Sequence, residues 1–114
     1  MADDCIFCKI RDGEVPSDIL SRNEHCFVIR DIAPLAPTHL LVVPVQHFTY
    51  LTELTQEFYP TLGAMFSAAR EAAEAQGIAG DGYRLVINQG EQAGQAVPHL
   101  HLHVLGGRSL GPMG

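Results

Sequence analysis

Positive charge is scarce in this chain. Seven lysines and arginines stand against thirteen aspartates and glutamates in 114 residues, a formal net charge of −6 at pH 7 and a pI near 5.3. Such a surface repels a phosphate backbone or an anionic bilayer, so neither nucleic acid nor a membrane is an expected partner. An anionic small molecule is compatible if local donors hold it. No apolar stretch approaches the ~20 residues that span a bilayer. The start, "MADDCIFCK", lacks the basic region and apolar run of an export signal. Cysteines are few: Cys5, Cys8 and Cys26. With no export signal they are expected as reduced thiols, and the chain as cytoplasmic. Low-complexity tracts, linkers and internal repeats are also missing. With 46% apolar and 18% charged residues, the composition is that of one globular domain over 1–114, long enough to bury a core.

The apolar patterning predicts five short strands and one main helix. Ile19–Leu20 and Cys26–Ile32 read as strands joined by "SRNE", and "RDIAPLAP" reads as a proline-marked loop. "THLLVVPV" is a third, β-branched strand closed by Pro44. From Thr55 to Gln76 the period turns helical, with Phe58, Leu62, Met65, Phe66 and Ala69 three and four residues apart. Pro60 suits its first turn and Gly77 its end. Gly63, Ala64, Ser67 and Ala68 give this helix a second, small-residue face, suited to self-association or to packing on the chain's own sheet. "YRLVIN" is a fourth strand, "QGEQAGQAV" a glycine-containing loop. The order predicts an α+β fold on a largely antiparallel meander.

The fifth strand carries the strongest signal. In "AVPHLHLHVLGG", His99, His101 and His103 recur with period two, which directs all three imidazoles to one face and Leu100, Leu102 and Val104 to the other. Positions i and i+4 of a strand lie about 13 Å apart, whereas Zn–N bonds are about 2.0–2.1 Å, so the three rings cannot share one ion. They must divide the labour. Cys5 and Cys8 have the C-x-x-C spacing of half a zinc site, for which His99 and His47 are candidate partners; a redox pair is the rival reading. A redox pair should follow a core strand and open a helix, yet only four residues precede Cys5. Cys26, alternating within "HCFVIR", reads as an ordinary buried residue. His101 and His103 are left for chemistry. A neutral imidazole can act as a nucleophile or accept a proton, and phosphorus is a suitable electrophile. Gly90 and Gly94 in the preceding loop let backbone N–H groups approach an anion.

"HLHLHVL" resembles the H-φ-H-φ-H-φ-φ signature of the histidine triad (HIT) family of nucleotide hydrolases and transferases. "CIFCKI", "RDIAPLAPTHLLVVP", "GYRLVINQG" and "GGR" resemble, in the same order, the corresponding stretches of its small Hint branch. The likeness runs from about Cys5 to Arg108. It implies a HIT-like five-stranded, mainly antiparallel sheet with one main helix and a short N-terminal helix. It also implies a homodimer with one nucleotide site per subunit. By the family pattern His101 attacks the α-phosphorus of a purine nucleoside 5′-phosphoramidate, an amine leaves, and water releases AMP or GMP from a nucleotidyl-histidine. His103 would contact phosphate oxygens, and Asn88 with the Gly94–Gln95–Ala96 backbone would hold the phosphate. Asp31 would accept from the ribose hydroxyls with Ile32 beside it; read without the family, Asp31 is a turn residue. His39 would support the catalytic histidine, and Phe7 and Leu41 would line the base pocket. Members that carry C-x-x-C at the N-terminus imply a structural zinc on Cys5, Cys8, His47 and His99.

The chain departs from this pattern in three places. Ala96 stands where many Hint proteins have a serine thought to assist the leaving amine, so the N–H is kept and a hydroxyl is lost. Pro98 replaces an aromatic, and the tail "SLGPMG" lacks the tryptophan of animal members and looks bacterial. Two other functions compete: a dinucleoside polyphosphate hydrolase of the Fhit type, and a zinc-stabilised nucleotide-binding regulatory protein with little turnover.

Overall fold

The strand segments "FVI" and "LLVV" are apolar at every position, the pattern of strands covered on both faces. In the computed structural model, which describes residues 4–114, Cys26–Arg30 (β2) and Thr38–Pro44 (β3) lie inside the sheet and are covered in that way. Val28, Leu40 and Val42 pack with the long helix Tyr59–Ala75 (α2). Phe27, Ile29, Leu41 and Val43 pack with the short N-terminal helix Ile6–Arg11 (α1). The other strands are Ile19–Arg22 (β1), Tyr83–Val86 (β4) and Leu102–Gly106 (β5). The expected α+β class therefore holds, with five antiparallel strands, one main helix and a short N-terminal one.

The strand order is β1-β2-β3-β5-β4, with each neighbouring pair antiparallel. This corrects the expected meander. After β3, helix α2 carries the chain to the far edge, β4 takes that edge, and β5 returns between β4 and β3. Burial explains the order: Leu102 and Val104 are fully buried on an interior strand, while all four β4 residues are half-exposed. His103 thereby comes to lie opposite both Leu41 and Val86.

The histidine strand is also shorter than its period predicts. It begins at Leu102, and residues 97–99 form a bend. Pro98 has no N–H to give a ladder; instead the His99 N–H donates to Val97 O and the Leu100 N–H to Phe48 O. Leu100, Leu102 and Val104 still enter one core, that of α2.

Helix α2 starts at Tyr59 after a 3-10 turn over Gln56–Phe58, with Pro60 in its first turn, where no N–H is needed. At its end the Gly77 N–H donates to Glu74 O and the Ile78 N–H to Ala73 O. Gly77 has φ +76°. This Schellman ending requires the left-handed conformation that glycine adopts freely, and Ile78 packs into the same core as Ala73. Met65, Ala68, Ala69 and Ala73 form the buried stripe. Phe66, expected to face inward, is 48% exposed, and of the small-residue face Ala68 joins the core while Gly63 and Ser67 are exposed. No helix among the described residues is long and apolar enough to cross a membrane.

Candidate active site

The bend at 97–99 and the strand that follows send neighbouring histidines into different surroundings. His99 is fully buried. Its Nδ1 lies 3.2 Å from Cys5 Sγ and 3.7 Å from Cys8 Sγ, while its Nε2 donates to Pro44 O at 2.9 Å. His47 Nδ1 lies 3.2 Å from Cys8 Sγ. The four donor atoms of Cys5, Cys8, His47 and His99 all fall within 4.8 Å of one another. Bonds of about 2.3 Å to sulfur and about 2.0–2.1 Å to nitrogen, at a tetrahedral angle, separate S and N by ~3.6 Å. The observed separations bracket that value, and the bond from His99 to Pro44 is the outer-shell contact that orients a ligating imidazole. The donor set can hold a metal ion. Cys5 caps α1, its Sγ accepting the Cys8 N–H at 3.4 Å. The C-x-x-C thus does open a helix, as a redox pair would. Burial, however, raises the Cys8 thiol above its ordinary value, opposite to the shift that activates a redox cysteine.

His101 and His103 line a cavity of about 330 Å³ on the α1 side of the sheet. Its wall is apolar, from Ile6, Phe7, Ile10, Val15, Ile29 and Leu41, and Asp31 and Ala96 border it. His101 is buried, and its Nδ1 is 2.8 Å from His99 O. A carbonyl only accepts, so Nδ1 carries the proton and neutral His101 keeps its lone pair on Nε2. The Phe7 ring stands edge-on to both His101 and His99, with centroids 5.1 and 5.7 Å away.

A second chain of hydrogen bonds sets His103. The Leu35 N–H donates to His39 Nδ1 at 3.1 Å, so neutral His39 is protonated on Nε2. That nitrogen is 2.9 Å from His103 Nδ1 and 3.4 Å from Asp31 Oδ2. Donation to His103 Nδ1 leaves the His103 proton on Nε2. The result is a lone pair on one ring and an N–H on its neighbour, with centroids 4.9 Å apart. Burial, with His101 and His39 close by, lowers His103 to about 4. Burial lowers His39 as well, against the opposing pull of Asp31. His99 is likewise lowered to about 4, chiefly by burial.

The remaining candidates divide. Asp31 borders the cavity, but its Oδ1 also accepts the Ala33 N–H at 2.9 Å, so it serves as a turn residue too. Ile32 sits on the rim and is 99% exposed. Asn88, Gly94 and Gln95 do not line the cavity. Asn88 Nδ2 donates to Ala93 O, the Gly94 N–H to Glu91 O and the Gln95 N–H to Gly90 O. Among the described residues, only the Ala96 N–H of the Gly94–Ala96 run has no acceptor within the protein. Gln95 acts through its side chain, which accepts from Gly90 N and donates to Thr49 O, pinning the loop. Sequence reasoning missed most of the apolar wall. Ile10 and Phe7 repeat the three-residue spacing of Cys5 and Cys8 on another face of α1, a signal that could have found it. A larger hollow of about 500 Å³, between Gln76–Ile78 and Gly107–Ser109, holds none of these groups.

The HIT domain family model matches residues 12–110. A purine nucleoside phosphoramidase of Escherichia coli is 45% identical over 113 residues, covering 99% of this chain and 95% of that one. Among solved structures, a HIT family hydrolase from Clostridium thermocellum superposes with TM-score 0.93 at 44% identity, covering 96% of each chain. A Zn-bound histidine triad family protein from Mycobacterium smegmatis gives TM-score 0.80 at 33% identity, covering 95% of this chain and 78% of that one. The chain belongs to the HIT family.

Proposed function

We propose that this protein is a purine nucleoside 5′-phosphoramidase acting through a nucleotidyl-histidine. The observation that carries the reading is the fixed tautomer of His101: Nδ1–H held on His99 O, with the Nε2 lone pair free at the wall of the cavity. In the first step Nε2 attacks the α-phosphorus, a P–N bond to His101 forms, and the P–N bond to the amine breaks. In the second, water attacks phosphorus, the bond to Nε2 breaks, and the nucleoside monophosphate leaves. His103 Nε2–H and the Ala96 N–H are the donors for phosphate oxygens. His39 holds His103 in its tautomer. Phe7 and Leu41, with Ile6 and Ile10, receive the base; Asp31 accepts from the ribose, and Ile32 closes the rim. Asn88, Gly94 and Gln95 shape the phosphate loop.

The departing amine needs a proton, and Ala96 has no hydroxyl to relay one. Both nitrogens of His99 are engaged, which leaves His103 or water as the source. Cys5, Cys8, His47 and His99 hold a structural zinc whose charge two thiolates neutralise. The domain works in the cytoplasm as a homodimer: β4 is an edge strand, and Phe66, Gly63 and Ser67 expose a surface on α2. The test compares turnover of adenosine 5′-phosphoramidate with that of a dinucleoside polyphosphate. Faster phosphoramidate cleavage supports the reading; the reverse order favours a hydrolase of the Fhit type. The loss of the serine hydroxyl at Ala96 supports one further reading, a nucleotide binder with little turnover. Binding of AMP with no turnover of either substrate would favour it.

A further inference from the structure

Helix α1 belongs to two sites at once. Its sequence, with the capping residue, is Cys5-Ile6-Phe7-Cys8-Lys9-Ile10-Arg11. Cys5 and Cys8 point into the donor cluster, while Ile6, Phe7 and Ile10 line the cavity. A six-residue helix is far below the ~12–15 residues at which isolated helices become even marginal, so tertiary contacts alone hold it. On one side these contacts are apolar, to Phe27, Ile29, Leu41 and Val43. On the other they pass through the two cysteines to His47 and His99. His99 makes a second link, since its carbonyl holds His101 Nδ1 at 2.8 Å.

We infer that the metal centre sets the affinity of the nucleotide pocket, by fixing α1 as the apolar wall against which the base packs. The inference rests on the assignment of that cavity to a nucleotide and of the Cys/His cluster to a metal. Binding linkage is reciprocal, so a metal that tightens AMP binding makes AMP tighten metal binding by the same factor.

The experiment measures the zinc affinity of the full chain by competition with a chelator, in buffer, with saturating AMP, and with saturating ribose 5-phosphate. Ribose 5-phosphate has no base to press on α1. AMP should raise zinc affinity about tenfold, within the ordinary range of such couplings, and ribose 5-phosphate less than twofold. Calorimetric titration of AMP into zinc-loaded and zinc-free protein should give the same factor. Equal effects of AMP and ribose 5-phosphate would reflect general stabilisation of the fold and overturn the route through α1. Zinc and AMP that bind independently would overturn the coupling alone. A chain that binds neither would overturn the underlying assignments as well.

Discussion

His101 and His103 differ in what their Nδ1 atoms meet, and that difference sets their tautomers. A carbonyl facing Nδ1 leaves His101 a lone pair at Nε2, and an N–H facing Nδ1 leaves His103 a proton at Nε2; the proposed function uses the first as nucleophile and the second as donor. Replacing His101 by Ala should lower turnover on the order of 10⁴–10⁶-fold, while calorimetry shows AMP binding largely kept, because the wall and the donors remain. Near-normal activity would remove His101 from the nucleophile role. His103 makes a separate prediction about pH. Its value is about 4 in the folded protein against 6.5 for an ordinary histidine, so between these values the unfolded chain binds more protons. The fold is then fully favoured by this group above about 6.5, and loses that contribution as pH falls toward 4. Thermal melts from pH 7 to 4 should show a shallower decline for His103→Gln than for wild type; equal slopes would refute the low value. At Ala96, restoring a hydroxyl should speed phosphoramidates with basic, poor leaving groups and hardly affect good ones. A leaving-group series on wild type and Ala96→Ser checks this, and coincident slopes and rates would make Ala96 neutral.

The Cys/His donor cluster joins elements far apart in the chain: the cap of α1, the segment after β3, and the bend before β5. Purified wild-type protein should carry about one zinc per chain. Cys5→Ser with Cys8→Ser should carry none and melt at a lower temperature, as elemental analysis and calorimetry would show; unchanged melting would deny the cluster a structural role. The turn after β5 makes an independent stability prediction. Gly107 has φ +96°, and a Cβ there would lie 2.9 Å from Pro37 Cβ. Gly107→Ala should cost about 1–3 kcal/mol in chemical denaturation; no loss would mean that the turn relaxes freely. Elements with strong local patterns were legible in the sequence. The helical period placed α2 to within a few residues, and the C-x-x-C with its two candidate histidines anticipated the donor cluster. What was not legible depends on chain pairing. The histidine strand starts only at Leu102 because residues 97–99 bend and the Leu100 N–H turns to Phe48 O, and β5 inserts between β3 and β4 because of what each strand must bury. The N–H groups of Gly94 and Gln95 invited an anion reading, but the loop folds back and uses them internally. Phe66 keeps the helical spacing of its neighbours yet lies off the buried stripe.

At the scale of the whole molecule, one sheet is covered by α2 over the larger core on one face and by α1 over a smaller core on the other, and the cavity opens on the α1 face. The proposed homodimer would use the β4 edge and the exposed side of α2; β1 is the sheet's other edge. Sedimentation should give twice the 12.4 kDa chain mass, and Phe66→Glu should shift the protein toward monomer; a monomeric wild type would contradict the dimer. The central claim is chemical, and the most direct measurement is trapping the intermediate. Wild-type protein mixed with adenosine 5′-phosphoramidate, quenched in alkali within the first turnovers and digested, should yield one adenylyl group on His101 by peptide mass spectrometry. An adduct on another residue, or steady turnover with none on His101, would contradict the account.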